Sequence, residues 1–102
     1  MYYAVWATDH PGVLAVRQQV REAHRARLRD PGSHPVQVVT GGPTLDERED
    51  AMNGSLLVIR ADSIDAVRRY LAEDPYVLAG VYAQVEVRPW QWGLGQPDSD
   101  GR

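Results

Sequence analysis

The chain contains no cysteine and no lysine. Without cysteine it forms no disulfide, uses no thiolate and builds no cysteine zinc site, and such a composition fits a reducing compartment, so a cytoplasmic location is expected. Without lysine there is no Walker-type phosphate loop, and Gly41-Gly42-Pro43 has no helix after it to cradle a phosphate, so no nucleotide cofactor is expected. Basic charge is also scarce. Eleven arginines against 14 acidic residues leave a formal charge of -3 and a pI near 5.5, which gives no general attraction to nucleic acid. A long hydrophobic run is missing too. The segment Met1 to Trp6 has no basic leader and few apolar residues before Asp9, so it predicts neither a signal peptide nor a membrane span. No internal repeat is present, and 102 residues suffice for one core, hence one domain.

What is present is patterned. Residues 2–8 are aromatic and β-branched and are closed by the turn formers Asp9-His10-Pro11-Gly12, which predicts a first strand. Residues 13–29 lack glycine and proline, and Val13, Val16, Val20 and Ala23 recur at three- and four-residue steps, so an amphipathic helix is expected from Pro11 or Gly12. Asp30-Pro31-Gly32-Ser33 stops it. Pro35 to Thr40 reads as a short strand running into a Gly41-Gly42-Pro43 turn, and the acidic stretch 44–53 reads as a loop. Ser55 to Ala61 is a third strand. Asp62 or Ser63 then caps a second helix with Ile64, Val67, Tyr70 and Leu71 as its apolar stripe, ended by Pro75. In Val81 to Arg88 the apolar residues at odd positions alternate with Tyr82, Gln84, Glu86 and Arg88, the period of a half-buried strand with its odd positions toward the helices.

The order β-α-β-β-α-β is the split βαβ arrangement: an α+β, ferredoxin-like fold with an antiparallel four-stranded sheet and both helices on one face. Tyr2, Ala4 and Trp6 oppose Tyr3, Val5 and Ala7, and Leu56 and Val58 oppose Leu57 and Ile59, so the uncovered sheet face is apolar as well. Such a face is costly in water and predicts a homodimer packed through it.

Candidate chemistry centres on one helix stripe. At 3.6 residues per turn Arg17, Arg21, His24 and Leu28 share a face, which brings an imidazole beside two guanidinium groups. An imidazole has a reference pKa near ~6.5 and suits proton transfer at neutral pH. Neighbouring arginines favour its proton-accepting form, while an Asp74 carboxylate opposes that and fixes the tautomer. The alternative is a histidine that only packs on the helix with a hydrogen bond to the loop. Asp74 before Pro75 is equally an N-cap for a helical turn over 75–79, and both roles are compatible because a carboxylate has two oxygens. Arg17 and Arg21 would clamp a carboxylate, phenolate or phosphate, or else form a solvated face with ion pairs to Glu22 or an Asp. Ser55 would donate to a substrate oxygen or satisfy local backbone, and Tyr76 would line the pocket or pack the Pro75 turn. His10 and His34 sit beside prolines with no metal-ligand spacing, so no metal is expected. The arginine-rich helix has no interleaved aromatics, is interrupted by Glu22, and carries arginine on several faces, which argues against RNA binding through the sheet and against a membrane-surface helix.

The motif R-x-x-V-R-x-A-H-x-A-R-L from Arg17 to Leu28, Gly42-Pro43, Gly54-Ser55 at the third strand, D-P-Y-V-x-A-G-V-Y from Asp74 to Tyr82, and Val87-Arg88-Pro89 together resemble the YCII-related (YciI-like) domain family over Tyr2 to Trp90. The resemblance implies a ferredoxin-like fold that dimerises in the dimeric α/β-barrel manner and an active-site His-Asp pair at His24 and Asp74. One branch of that family acts as a dehydrochlorinase on a chlorinated hydroxyhydroquinone. This chain departs from the pattern in its longer, acidic 44–53 loop and its polar tail. Two functions follow. The first is a small cofactor-independent enzyme in which His24 and Asp74 carry out elimination, isomerisation or hydrolysis on a small anionic or phenolic ligand; the second is a non-catalytic ligand-binding or interaction module of the same dimeric fold. The domain is expected over 1–92 and a polar, mobile tail over 93–102.

Overall fold

The computed structural model describes residues 1–96, so the 97–102 part of the expected tail lies outside the described residues. The elements run β1 (Tyr2–Asp9), α1 (Leu14–Arg29), β2 (Val36–Leu45), β3 (Met52–Ala61), α2 (Ile64–Ala72), α3 (Pro75–Leu78) and β4 (Tyr82–Trp90). The sheet has the order β2-β3-β1-β4, with every neighbouring pair antiparallel. This is the split βαβ fold that the sequence pattern predicts, with α3 as an added single turn. Among the described residues no helix is long and apolar enough to cross a membrane.

Period-two alternation decides which side chains enter the core. Tyr3, Val5 and Ala7 of β1 and Leu57, Ile59 and Ala61 of β3 are buried, and α2 covers much of that face with Ala66, Val67, Tyr70 and Leu71. Ser63 begins α2 by accepting the Ala66 backbone N–H at 3.1 Å. Among the described residues no helix lies over the opposite side of the sheet, and there Trp6 and its cross-strand partner Leu56 are 52% and 43% exposed.

Three features differ from the sequence pattern. First, Gly41-Gly42-Pro43 is no turn: β2 continues through it to Leu45, paired with β3 and carrying an extra residue at Val39. β2 is an edge strand, whose outer side needs no ladder bonds, so Pro43 is tolerated there. Second, the acidic stretch shrinks to an ordered 46–51 turn between β2 and β3, in which the Asp46 carboxylate accepts the Asp50 N–H at 3.0 Å and the Asp46 carbonyl accepts the Glu49 N–H at 2.9 Å. Third, α1 begins at Leu14, and its inward face is centred on Arg17 and His24, which are the two buried residues of the helix. Ala23 lies roughly 110° around the helix from that centre, too far to enter the core, and is exposed.

Candidate functional site

The site lies where α1 crosses the β3 start and the α3 turn. Arg17 occupies the second turn of α1 and is 1% exposed. Its Nε donates to Asp9 Oδ2 at 2.8 Å, and its Nη2 donates to the Gly54 carbonyl at 2.6 Å and to Ser55 Oγ at 2.7 Å. Gly54 must be glycine for the strands to close here, since a Cβ would run into the Ala7 carbonyl and the Thr44 hydroxyl. Tyr82 donates to the same Ser55 oxygen at 2.7 Å. Burial pushes the Tyr82 phenol well above its usual range, against the opposing effect of that hydrogen bond, so it stays a proton donor.

Two turns further on, His24 Nδ1 lies 2.9 Å from both carboxylate oxygens of Asp74, with both residues buried. Asp74 Oδ1 also accepts the Tyr76 backbone N–H at 2.8 Å, which makes Asp74 the N-cap of α3, with Pro75 in the first helical position. One carboxylate therefore starts the helical turn and orients the imidazole. The Tyr76 ring stacks on His24 with centroids 4.0 Å apart and an interplanar angle of 22°, and the Arg17 guanidinium carbon sits 4.3 Å from the centroid of the same ring. Burial raises the Tyr76 phenol pKa, while Arg17 and then Arg21 pull it back.

These groups border a cavity of about 210 Å³ lined by Arg17, Arg21, His24, Ser55 and Tyr76, with Gly41, Gly42 and Pro43 of β2 forming the opposite wall. Gly41 and Gly42 bring no side chain to that wall. All six sequence candidates are drawn together: five line the cavity, and Asp74 stands behind His24. None of residues 46–51 lines it. Arg17 is bound mainly to the protein, with Nη1 as the group left without a protein acceptor, whereas Arg21 has no hydrogen bond or ion pair among the described residues. With Nδ1 committed to Asp74, Nε2 is the ring nitrogen of His24 left for a ligand. Among the described residues no group of three or more His, Asp or Glu is placed to hold a metal ion.

Asp9 and Tyr82 complete the site, and the sequence analysis did not single them out. Regular alternation puts Tyr82 on the open face, with Gln84. The structure carries a one-residue bulge there: Thr8 pairs with Gln84 but Asp9 with Tyr82, so Ala83 is the extra residue and Tyr82 turns inward beside Asp9.

The sequence profile of the YCII-related domain matches residues 1–91. An uncharacterized protein of Haemophilus influenzae is 37% identical over 95 residues, covering 89% of this chain and 97% of that protein. Protein YciI of Escherichia coli is 34% identical over 99 residues, with the same shares covered, 89% and 97%. Among solved structures, the 5-chloro-2-hydroxyhydroquinone dehydrochlorinase of Burkholderia phenoliruptrix, in complex with 2,5-dihydroxybenzoquinone, is similar with a TM-score of 0.75 and 34% identity, over 91% of this chain and 96% of that one. SnoaB, a cofactor-independent oxygenase from Streptomyces nogalater, is similar in fold alone, with a TM-score of 0.54 at 19% identity over 93% and 96% of the two chains. Both are of the dimeric α/β-barrel type, the fold class of this chain.

Proposed function

The chain belongs to the YCII-related domain family, and on that premise we propose that it is a small cofactor-independent enzyme that moves a proton on a small anionic or phenolic substrate. The observation that carries this reading is the buried His24–Asp74 contact at 2.9 Å on the wall of the cavity. Asp74 accepts Nδ1–H and so keeps the lone pair on Nε2, the tautomer a general base needs. Nε2 takes a proton from a substrate hydroxyl or carbon, and the Asp74 carboxylate stabilises the imidazolium that results. Arg17 Nη1, Arg21 and the Tyr76 hydroxyl face the negative charge that develops on the substrate. The electrons released either expel an anionic leaving group, as in an elimination, or take up a proton at a second position, as in an isomerisation. Where His24 deprotonates water instead, the water oxygen bonds to an electrophilic carbon and the leaving group departs with the proton that His24 returns, which is hydrolysis. A relative that removes hydrogen chloride from a hydroxylated ring supports elimination as the first reaction to test. The binding-module alternative calls for an unpaired His24, and here the ring is held at both carboxylate oxygens.

We assign the open sheet face, with Trp6 and Leu56, to a second copy of this chain, and place the cysteine-free protein in the cytoplasm. The function is tested by a thermal-shift series with benzoate, catechol, hydroquinone and 2,5-dihydroxybenzoquinone on the wild type and on His24→Gln, which keeps a donor for Asp74. Ligands should stabilise the wild type and lose their effect in the variant, and turnover of the ligand class so identified should fall at least ~100-fold. Equal shifts in both proteins, or no shift in either, would refute the reading.

A further inference from the structure

Arg17, Arg21, Arg25 and Arg29 stand at strict four-residue steps along α1. Each step advances ~6 Å along the axis and drifts by roughly 40°, so the row climbs from the buried end of the site toward solvent. Like charges at this spacing destabilise a helix, and little in the protein offsets them. Arg17 is neutralised by Asp9, and Arg25 touches Glu22 at an exposed 3.3 Å. Among the described residues Arg21 and Arg29 have no carboxylate partner.

The upper part of the row borders a second hollow. A groove of about 440 Å³ between α1 and β2 is lined by Arg25, Arg29, Gln37 and Thr40, and it shares Arg25, Leu28 and Gly41 with the His24 cavity. The two hollows therefore adjoin, and among the described residues no carboxylate lines either one. The groove is about twice the volume of the cavity, walled on one side by Val36, Gln37, Val38, Thr40 and Gly41 of β2 and on the other by Arg25, whose carboxylate contact is the exposed Glu22, and Arg29, which has no carboxylate contact among the described residues. A ligand confined to the His24 cavity would leave the Arg29 charge unanswered.

We propose that the substrate is an elongated dianion, whose reacting end lies at His24 and whose second acid group, carboxylate or phosphate, is held in the groove by Arg25 and Arg29. The inference rests on the His24 reading for the position of the first end. The two arginines lie one and five residues beyond His24, which with the reach of their side chains sets the separation of the acid groups at roughly 6–12 Å.

Calorimetric titration at low salt with suberate, its monomethyl ester and 8-phosphonooctanoate, against the wild type, Arg25→Gln/Arg29→Gln and His24→Gln, tests this. Suberate should bind the wild type at least ~10-fold tighter than its ester, and the double variant should erase that advantage while still binding the ester. The phosphonate arm tells which second acid group is preferred. Equal affinities for suberate and its ester in the wild type, or an advantage that survives in the double variant, would overturn the proposal. Ester binding unchanged in His24→Gln would instead remove the proposed function, and the groove advantage would then stand as an anion site of its own.

Discussion

Replacing Asp9 by alanine would leave the Arg17 guanidinium buried with its charge unanswered. The side chains of Arg17 and Asp9 are only 2% and 5% exposed, so water cannot take over the lost contact. The Gly54 carbonyl and the Ser55 hydroxyl still accept from Nη2, but both are neutral, and Nε loses its acceptor. Removing one member of a buried ion pair costs about 3–5 kcal/mol, a large share of the ~5–15 kcal/mol that holds a domain folded. At about 4–8 °C per kcal/mol for a domain of this size, the melting temperature should fall by more than ~12 °C. Urea unfolding at fixed protein concentration measures the loss directly, because a change in midpoint at constant slope reports stability alone. The decisive comparison is Asp9→Ala/Arg17→Met, which removes both charges and fills the space with an apolar chain. It should recover more than half of the loss, since the cost lies in the stranded charge. An Asp9→Ala loss below ~1 kcal/mol, or a double variant no better than the single one, would refute the argument that Arg17 is a desolvated charge.

Asp74→Ala removes both the cap of α3 and the acceptor for His24 and should cost ~2–4 kcal/mol, whereas Asp74→Asn keeps the cap and should fold within ~1 kcal/mol of the wild type yet lose ligand stabilisation; equal urea midpoints for the two variants would contradict the dual role. Burial raises the Tyr70 pKa to about 12, above its unfolded value near 10, so the native state holds the phenolic proton longer and this contribution is complete below pH ~10 and lost as pH rises through ~12. Tyr70 should account for ~2 kcal/mol of the loss across that window, and Tyr70→Phe should lessen the drop by that share while buried Tyr82 and Tyr76 keep theirs; parallel profiles would show that Tyr70 contributes nothing to it. Trp6→Glu, on the open face, should convert a dimer to a monomer in sedimentation or light scattering, and a wild type that is itself monomeric would withdraw that face as a self-interface.

The helix-borne half of the site was legible because helical spacing is a strong constraint. Once residues 17–28 are a helix, Arg17, Arg21 and His24 must share a face, and Asp74-Pro75 signals a cap wherever it stands. The strand-borne half was not legible in the same way. Tyr82 sits just before the extra residue Ala83, and a single extra residue reverses the facing assignment on its far side. Asp9 reads as a turn former because it precedes His10-Pro11-Gly12, and its acceptor role follows only once Arg17 is known to cross above it. Gly41-Gly42-Pro43 carries the local signature of a turn and becomes strand only because β3 offers it a partner along one side. The apolar spacing in α1 suggests a face that includes Ala23, whereas its two buried residues, Arg17 and His24, are polar.

That polar docking gives α1 an unusual way to come loose. α2 buries four apolar side chains, while α1 buries only Arg17 and His24 and is fastened at Asp9, at Asp74 and by the Tyr70 hydroxyl bonded to the Arg27 carbonyl at 3.1 Å. Lifting α1 would therefore break buried hydrogen bonds and charges, while the helix itself releases few apolar side chains from the core, Leu28 among them. Such an opening exposes less surface than global unfolding, so native-state hydrogen exchange along α1 should proceed with a shallower dependence on urea and a smaller heat-capacity change, while amides of α2 and β3 wait for global unfolding. A ligand bridging His24 and the arginines would close that route, and slower exchange in one helix would report occupancy before any reaction is known.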